Sequence, residues 1–268
     1  MPTDQVTDLV NRAQPLDALP LWVIYFITVF LLLLATEFGF RMGRYWQNKS
    51  PDEAEPNVGA MSGATMALLA FLIALVTSAS ISIFAARRQA VVAEANAIGT
   101  TYLRAGYLPE PIGPESQQLL VEYVDQRLAA VDVAQTVQAI VRSEEIQGEL
   151  WDRAETLARE FPTPTSSLYI ASLNEVIDLH TERINVALVV RVPWGLVFGL
   201  YLIAFLTLFL VGMHAGYREK RNLVAVVTFI LTLSVVFYLI ADLNRGSEGI
   251  LKISQQSMLD LQRSINSN

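Results

Sequence analysis

Four blocks of the chain are almost purely apolar, and the charged positions lie mostly between them. The first, "LWVIYFITVFLLLLATEFGF", runs from Leu21 to Phe40 and is uncharged until Glu37. The second runs from Gly59 to Ala86, 28 residues without one charged side chain. At about 1.5 Å per residue it is roughly 42 Å long, more than a ~30 Å hydrocarbon layer requires, so it must tilt or protrude. The third, Val192 to Gly212, carries Pro193 in its first turn, where a missing N–H costs nothing. The fourth, Leu223 to Leu243, is uncharged until Asp242. Runs this long and this free of charge predict spanning helices rather than the core of a water-soluble fold. Trp22 and Tyr25, Tyr45 and Trp46, and Trp194 fall near the ends of these blocks, where amphipathic rings anchor at the interface.

The second block does not stop at its charged end. "AARRQAVVAEANAIGTTYLRAGYLPEP" passes Arg87 and Arg88 and continues in helical register, which predicts a spanning helix that extends beyond the lipid. About a hundred residues without strand patterning follow. Leu119, Tyr123, Val124 and Leu128 share one helical face, and "GELWDRAETLAREF" continues in kind. "LPEPIGP" and "FPTPTS" interrupt with prolines. From Ser166, Leu173, Ile177, Ile184 and Leu188 form an apolar seam beside a polar stripe of Asn174, Asp178, Thr181 and Asn185. The fold class is therefore all-α: an integral membrane protein with four transmembrane helices and a helical extramembrane domain of three or four long helices between spans two and three. The predicted segments are a tail (1–20), span one with a short basic loop (21–58), span two (59–86), an acidic helical domain (87–191), spans three and four (192–243) and a C-terminal tail (244–268).

Charge sharpens this division. The chain carries a formal net charge of −7, yet residues 89–191 hold 15 Asp/Glu against 7 Lys/Arg, so the acidity belongs to the middle segment. Such a surface repels phosphate backbones and argues against nucleic acid as a partner. The short loops carry Arg41, Arg44, Lys49, Arg218, Lys220 and Arg221, which by the positive-inside rule places them in the cytoplasm and the middle domain outside; Arg87 and Arg88 argue the opposite way. The N-terminus lacks a basic region ahead of its apolar run and does not read as a cleaved signal peptide. The chain has no cysteine, which removes disulfides, thiolate metal sites and cysteine nucleophiles.

Several residue groups are candidates for function. Arg87 and Glu94, seven positions apart, share a helical face, and with Arg88 they form either a pore-mouth charge ring, a lipid-headgroup site, or an anchor with a structural ion pair. Thr77, Ser78, Ser80 and Ser82 either line a wet pathway or bond back to their own helix. Gly59, Gly63, Ala67, Ala70 and Ala74 on the second span, and Gly195 with Gly199 on the third, give small faces suited to helix packing, within or between subunits. Glu37 and Asp242 lie at span ends, and Asp242 stands one turn before a candidate partner, Arg245. His180 and His214 lack metal-ligand spacing, so no metal, no cofactor and no catalytic constellation is expected, and the chain does not read as an enzyme.

"RRQAVVAEANAIGTTYLRAGYLPEP", "YVDQRL", "LNEVIDLHTERINVAL" and "ADLNRGSEGILKISQQSMLDLQ", in this order around two pairs of spans, resemble the bestrophin-like family of membrane proteins, common in bacteria. The resemblance covers the chain from about Leu21 to Leu261. The family pattern reads Asp-Arg-Pro where this chain has Asn244, Arg245 and Gly246. What the resemblance implies is a homo-oligomeric ion channel of the cell membrane, for anions by analogy with true bestrophins, which are pentameric with four spans per subunit and helices extending the pore. It also implies a cytoplasmic middle domain, against the loop charges. No acidic cluster here matches the bestrophin calcium clasp residue by residue. The alternative function is a non-conducting scaffold or sensor whose helical domain binds a partner. Lipid bilayer, copies of itself and ions are the partners this reading calls for.

Overall fold

The computed structural model describes residues 19–49, 57–132, 134–219, 222–245 and 249–267, and these residues are almost entirely helical. The helices are α1 (Leu21–Lys49), α2 (Val58–Ala105), α3 (Ile112–Ala129), α4 (Thr136–Glu160), α5 (Pro164–Ile184), α6 (Trp194–Tyr217), α7 (Leu223–Arg245) and α8 (Gln256–Asn266), with a π-helical turn, Asn185–Val189, directly after α5. Four of these helical segments are long and apolar enough to cross a membrane. Lys220 and Arg221 of the predicted second short loop lie outside the described residues, as does Gly246.

The second apolar block and its charged continuation form one helix. α2 runs unbroken for 48 residues, about 72 Å at the usual rise. No proline falls between Val58 and Ala105, and its glycines sit in a long run of residues with good helix propensity. The prolines elsewhere act as helix starters: Pro114 lies in the first turn of α3, and Pro164 opens α5 behind Thr163, whose Oγ1 accepts the Ser166 backbone N–H at 3.2 Å. The patterned stretch after Glu115 breaks between α3 and α4. There Asp132 Oδ1 accepts the Ala134 N–H at 3.0 Å, and Thr136 Oγ1 donates to the Asp132 carbonyl at 2.8 Å, so local side-chain bonds replace helical ones. α5 does not run straight into the third span. It ends in the π turn, and Pro193, lacking an N–H, starts α6 afresh.

The described chain forms two compact units. The span unit comprises residues 19–82 and 191–251. In it α1 packs along α6 and also touches α7. The seam of α1 is Leu21, Ile24, Thr28, Leu32, Ala35, Thr36, Gly39 and Gly43, all buried at helical spacing. At its far end the backbones meet: a Cβ on Gly39 would overlap the Phe209 carbonyl oxygen, one on Gly43 that of Met213, one on Gly212 that of Thr36, and one on Gly216 that of Phe40. Two reciprocal Gly-x-x-x-Gly pairs thus bring α1 and α6 into direct backbone contact. Such dispersion contact is the main source of helix affinity where lipid offers no hydrophobic drive. Buried hydroxyls here bond to their own helix, Thr28 to the Ile24 carbonyl at 2.8 Å and Thr36 to that of Leu32 at 2.9 Å.

The helical unit comprises residues 83–190 and 252–267. Its core gathers Ile98, Leu120, Val124, Ile146, Leu150, Leu157, Leu173 and Val176, joined by Met258 and Ile265 of α8. The predicted seam of α5 is inward, with Leu173 fully buried, and its stripe of Asn174, Asp178, Thr181 and Asn185 is exposed. The C-terminal segment belongs to this unit rather than forming a separate tail.

Candidate functional site

Each unit contains one candidate feature. In the span unit it is the surface of α2. At 100° per residue the span portion shows three faces. Val58, Ser62, Leu69, Val76 and Ser80 form a buried face, and Met61, Leu68, Phe71 and Leu75 form a bulky, exposed one. Between them Gly63, Ala67, Ala70, Ala74 and Ser78 form a third face that is small and exposed. The hydroxyl group therefore divides. Ser80 is buried and donates to the Val76 carbonyl at 2.9 Å, Ser78 and Ser82 are exposed, and Thr77 is half-buried. Of the small residues, Gly59 lies against the His214 ring, while at Gly63, Gly195 and Gly199 no described atom comes within 4 Å of where a Cβ would stand. These three glycines leave open space for a neighbouring helix.

In the helical unit the feature is a buried network of polar side chains. Glu94 is fully buried on α2. Its Oε1 accepts Arg127 Nε at 2.8 Å and the Tyr123 hydroxyl at 3.2 Å, and its Oε2 accepts Arg183 Nη1. Tyr123 and Arg127 lie one turn apart on α3, and His180 and Arg183 one turn apart on α5, so each neighbouring helix presents a pair of residues to the same carboxylate. The Tyr123 oxygen also meets His180 Nδ1 at 2.9 Å and accepts from Gln147 Nε2 of α4 at 3.1 Å. Arg183 Nη2 donates to Gln255 Oε1, just ahead of α8, at 2.9 Å. Five parts of the unit are tied together this way.

Burial alone pushes the Glu94 carboxyl up, but the guanidiniums of Arg127 and Arg183 outweigh it and hold the group below the usual carboxylate range. Burial, then the Glu94 charge, pushes the Tyr123 phenol up, so it stays protonated. Burial, then the positive field of Arg127, pushes His180 down to about 3, so the imidazole is neutral. Burial and Arg127 also lower Arg183, which nonetheless stays charged, as guanidiniums do. Glu94 thus serves as a structural ion-pair centre whose partners come from α3 and α5. Breaking such a centre by removing its carboxylate leaves uncompensated buried charge.

Arg87, on the same face of α2, is 2% exposed and donates from Nε to the Val186 carbonyl at 2.8 Å and from Nη2 to that of Val190 at 2.9 Å. These carbonyls belong to the π turn and its C-terminal cap, where the widened ladder leaves acceptors free for a side-chain donor. Arg88 is exposed. Asp242, fully buried at the end of α7, accepts the backbone N–H groups of Ile250 and Leu251 at 3.1 and 3.3 Å on Oδ2. Arg245 donates to the Leu19 carbonyl at 2.5 Å, so the pair expected between these two residues gives way to separate caps on backbone. Gly249, with φ of +102°, packs so closely on Asp242 that a Cβ would overlap the carboxylate. Among the described residues no group of three His, Asp or Glu converges as a metal would need.

Sequence reading singled out Glu94 without its partners. Tyr123, Arg127, Gln147 and Arg183 lie 29 to 89 positions away, and only the turn-spaced pairs on the buried faces of α3 and α5 hinted at them. Gly39, Gly43, Gly212 and Gly216 were also missed, although their x-x-x spacing was visible.

No curated protein matches the sequence. Solved structures share the fold: a bacterial bestrophin homologue from Klebsiella pneumoniae, in a point-variant form, superposes with a TM-score of 0.67 at 15% identity, covering 89% of this chain and 97% of that one. A second structure of a bestrophin homologue from the same organism gives a TM-score of 0.65 at 14% identity, covering 91% and 97%. The Bestrophin-like domain model matches residues 29–258. With four spans, an all-helical fold shared with bacterial bestrophin homologues and a domain match over most of its length, the chain is a multi-pass membrane protein and belongs to the Bestrophin-like family.

Proposed function

We propose that the protein is a homo-oligomeric ion-conducting pore in which the small exposed face of α2 from each copy lines a shared axis. The observation that carries this reading is the separation of two exposed faces on one span: a bulky one suited to lipid or a neighbouring helix, and a small one of Gly63, Ala67, Ala70, Ala74 and Ser78. From Gly63 to Ser78 this side carries no large exposed side chain, and Ile81, exposed on the same side, closes the small stretch at its charged end. Around an axis, small residues keep the lumen open, and the Ser78 hydroxyl replaces hydration water without adding fixed charge. Gly195 and Gly199, with no described atom within 4 Å of their Cβ positions, supply close packing between copies. Arg88, exposed beyond the apolar run, stands at the mouth.

The likeness to bestrophin homologues favours an anion pore, whereas the acidity of residues 89–191 favours cations. Reconstitution in planar bilayers under a potassium chloride gradient decides between them through the sign of the reversal potential. Absence of conductance in every salt, with or without calcium, removes the proposal.

A further inference from the structure

The Glu94 network is unbalanced in charge. It contains two guanidiniums, Arg127 and Arg183, and one carboxylate, and its other members, Tyr123, His180, Gln147 and Gln255, are neutral. Glu94 is fully buried, and the side chains of Arg127 and Arg183 are only 3% and 9% exposed. One guanidinium of this largely buried network thus has no counter-charge among the described residues.

The donors locate the imbalance. Arg183 spends its terminal nitrogens on Glu94 and Gln255. Arg127 donates to Glu94 through Nε, and no hydrogen bond among the described residues uses its two terminal amino groups. Guanidinium N–H groups without a protein partner at the edge of a buried network are sites for a compact anion, because each hydrogen bond is charge-assisted.

We infer that the helical unit binds a small monovalent anion, of chloride size, against the terminal amino groups of Arg127 as the second counter-charge of the Glu94 network. The anion is a structural ligand of this unit, so the inference stands whether or not the protein conducts. Halide and small carboxylate share the required chemistry, and comparing the two is part of the test.

The test uses the full chain purified in detergent, unfolded thermally at constant ionic strength. Replacing gluconate by chloride or bromide is expected to raise the midpoint saturably, by roughly 3 °C, with acetate less effective. Arg127→Gln removes the excess charge and should abolish the halide dependence. Gln147→Glu brings a carboxylate into the network and should abolish it as well. Anomalous scattering from bromide should place the ion beside Arg127. Equal midpoints in chloride and gluconate, a halide dependence that survives in Arg127→Gln, or bromide confined to the protein surface overturns the inference; stabilisation by acetate alone overturns the halide assignment. If neither variant folds, the wild-type bromide position decides.

Discussion

The two units differ in what their buried charged groups bond to. The helical unit buries ionised side chains and satisfies them with one another, Glu94 against Arg127 and Arg183, with Tyr123, His180 and Gln147 completing the network. In the span unit the buried Thr28, Thr36 and Ser80 hydroxyls bond to carbonyls one turn back on the same helix, Thr28 also meeting the Tyr201 hydroxyl, and the buried Asp242 carboxylate accepts backbone N–H groups. A helix pair in lipid gains nothing by burying apolar area, so α1 and α6 hold together by backbone contact at glycine. The helical unit has a Leu and Ile core to hold it, and its buried charges tie α2, α3 and α5 together.

Substitution at the glycine contact should give the largest effect. Gly212→Leu drives side-chain atoms into the Thr36 backbone of α1, and strain that cannot relax should cost at least about 5 kcal/mol. The expected outcome is no monodisperse protein in detergent by size-exclusion chromatography. Gly195→Leu, with no described atom within 4 Å of its Cβ position, should leave the monomer fold intact and affect only association between copies.

The charged network comes next. Glu94→Gln leaves two buried guanidiniums facing a neutral amide and should destabilise the protein by about 3–5 kcal/mol. Arg127→Gln leaves a balanced pair, Glu94 with Arg183, and should cost distinctly less. Comparing their unfolding midpoints tests whether charge balance, rather than the number of bonds, governs this unit.

A smaller effect should appear with pH. His180 is held neutral with its pKa at about 3, below its ordinary 6.5, so the unfolded chain takes up a proton first as pH falls. Stability should therefore decline from about pH 6.5 downwards, by up to about 1.4 kcal/mol per pH unit, levelling off near pH 3. Glu94, whose pKa is lowered from 4.5, contributes stability that is present above 4.5 and lost as pH drops through its lower folded value. His180→Gln should flatten the slope between pH 6.5 and 4.5 and leave the loss below 4.5 in place. The smallest effect is expected at the surface: Arg159→Ala breaks an exposed pair with Glu155 and should shift stability by no more than about 0.5 kcal/mol.

The spans were legible because length and freedom from charge are local properties, readable block by block. Continuity of α2 through Arg87 and Arg88 was legible for the same reason, since nothing between Val58 and Ala105 breaks a helix. The partners of Glu94 were not, because a carboxylate on one helix does not announce an arginine 89 positions later. The small-residue faces show a subtler limit. Gly39 with Gly43 and Gly63 with Ala67 have the same spacing, yet the first pair meets a backbone of its own chain and the second stands exposed. Spacing records that close approach is allowed and leaves open which helix approaches. Likewise the end of α3 carries no proline or glycine; Asp132 and Thr136 end it through bonds that many helix-interior residues of those types do not make.

The most direct measurement is thiol block of ionic current through single-cysteine variants, for which the cysteine-free chain needs no background changes. Small water-soluble thiol reagents should reduce current stepwise through Ser78→Cys and leave Ser80→Cys, on the buried face, unaffected. Current that survives full modification of Ser78→Cys, or block confined to Ser80→Cys, would contradict a pathway lined by the small face of α2.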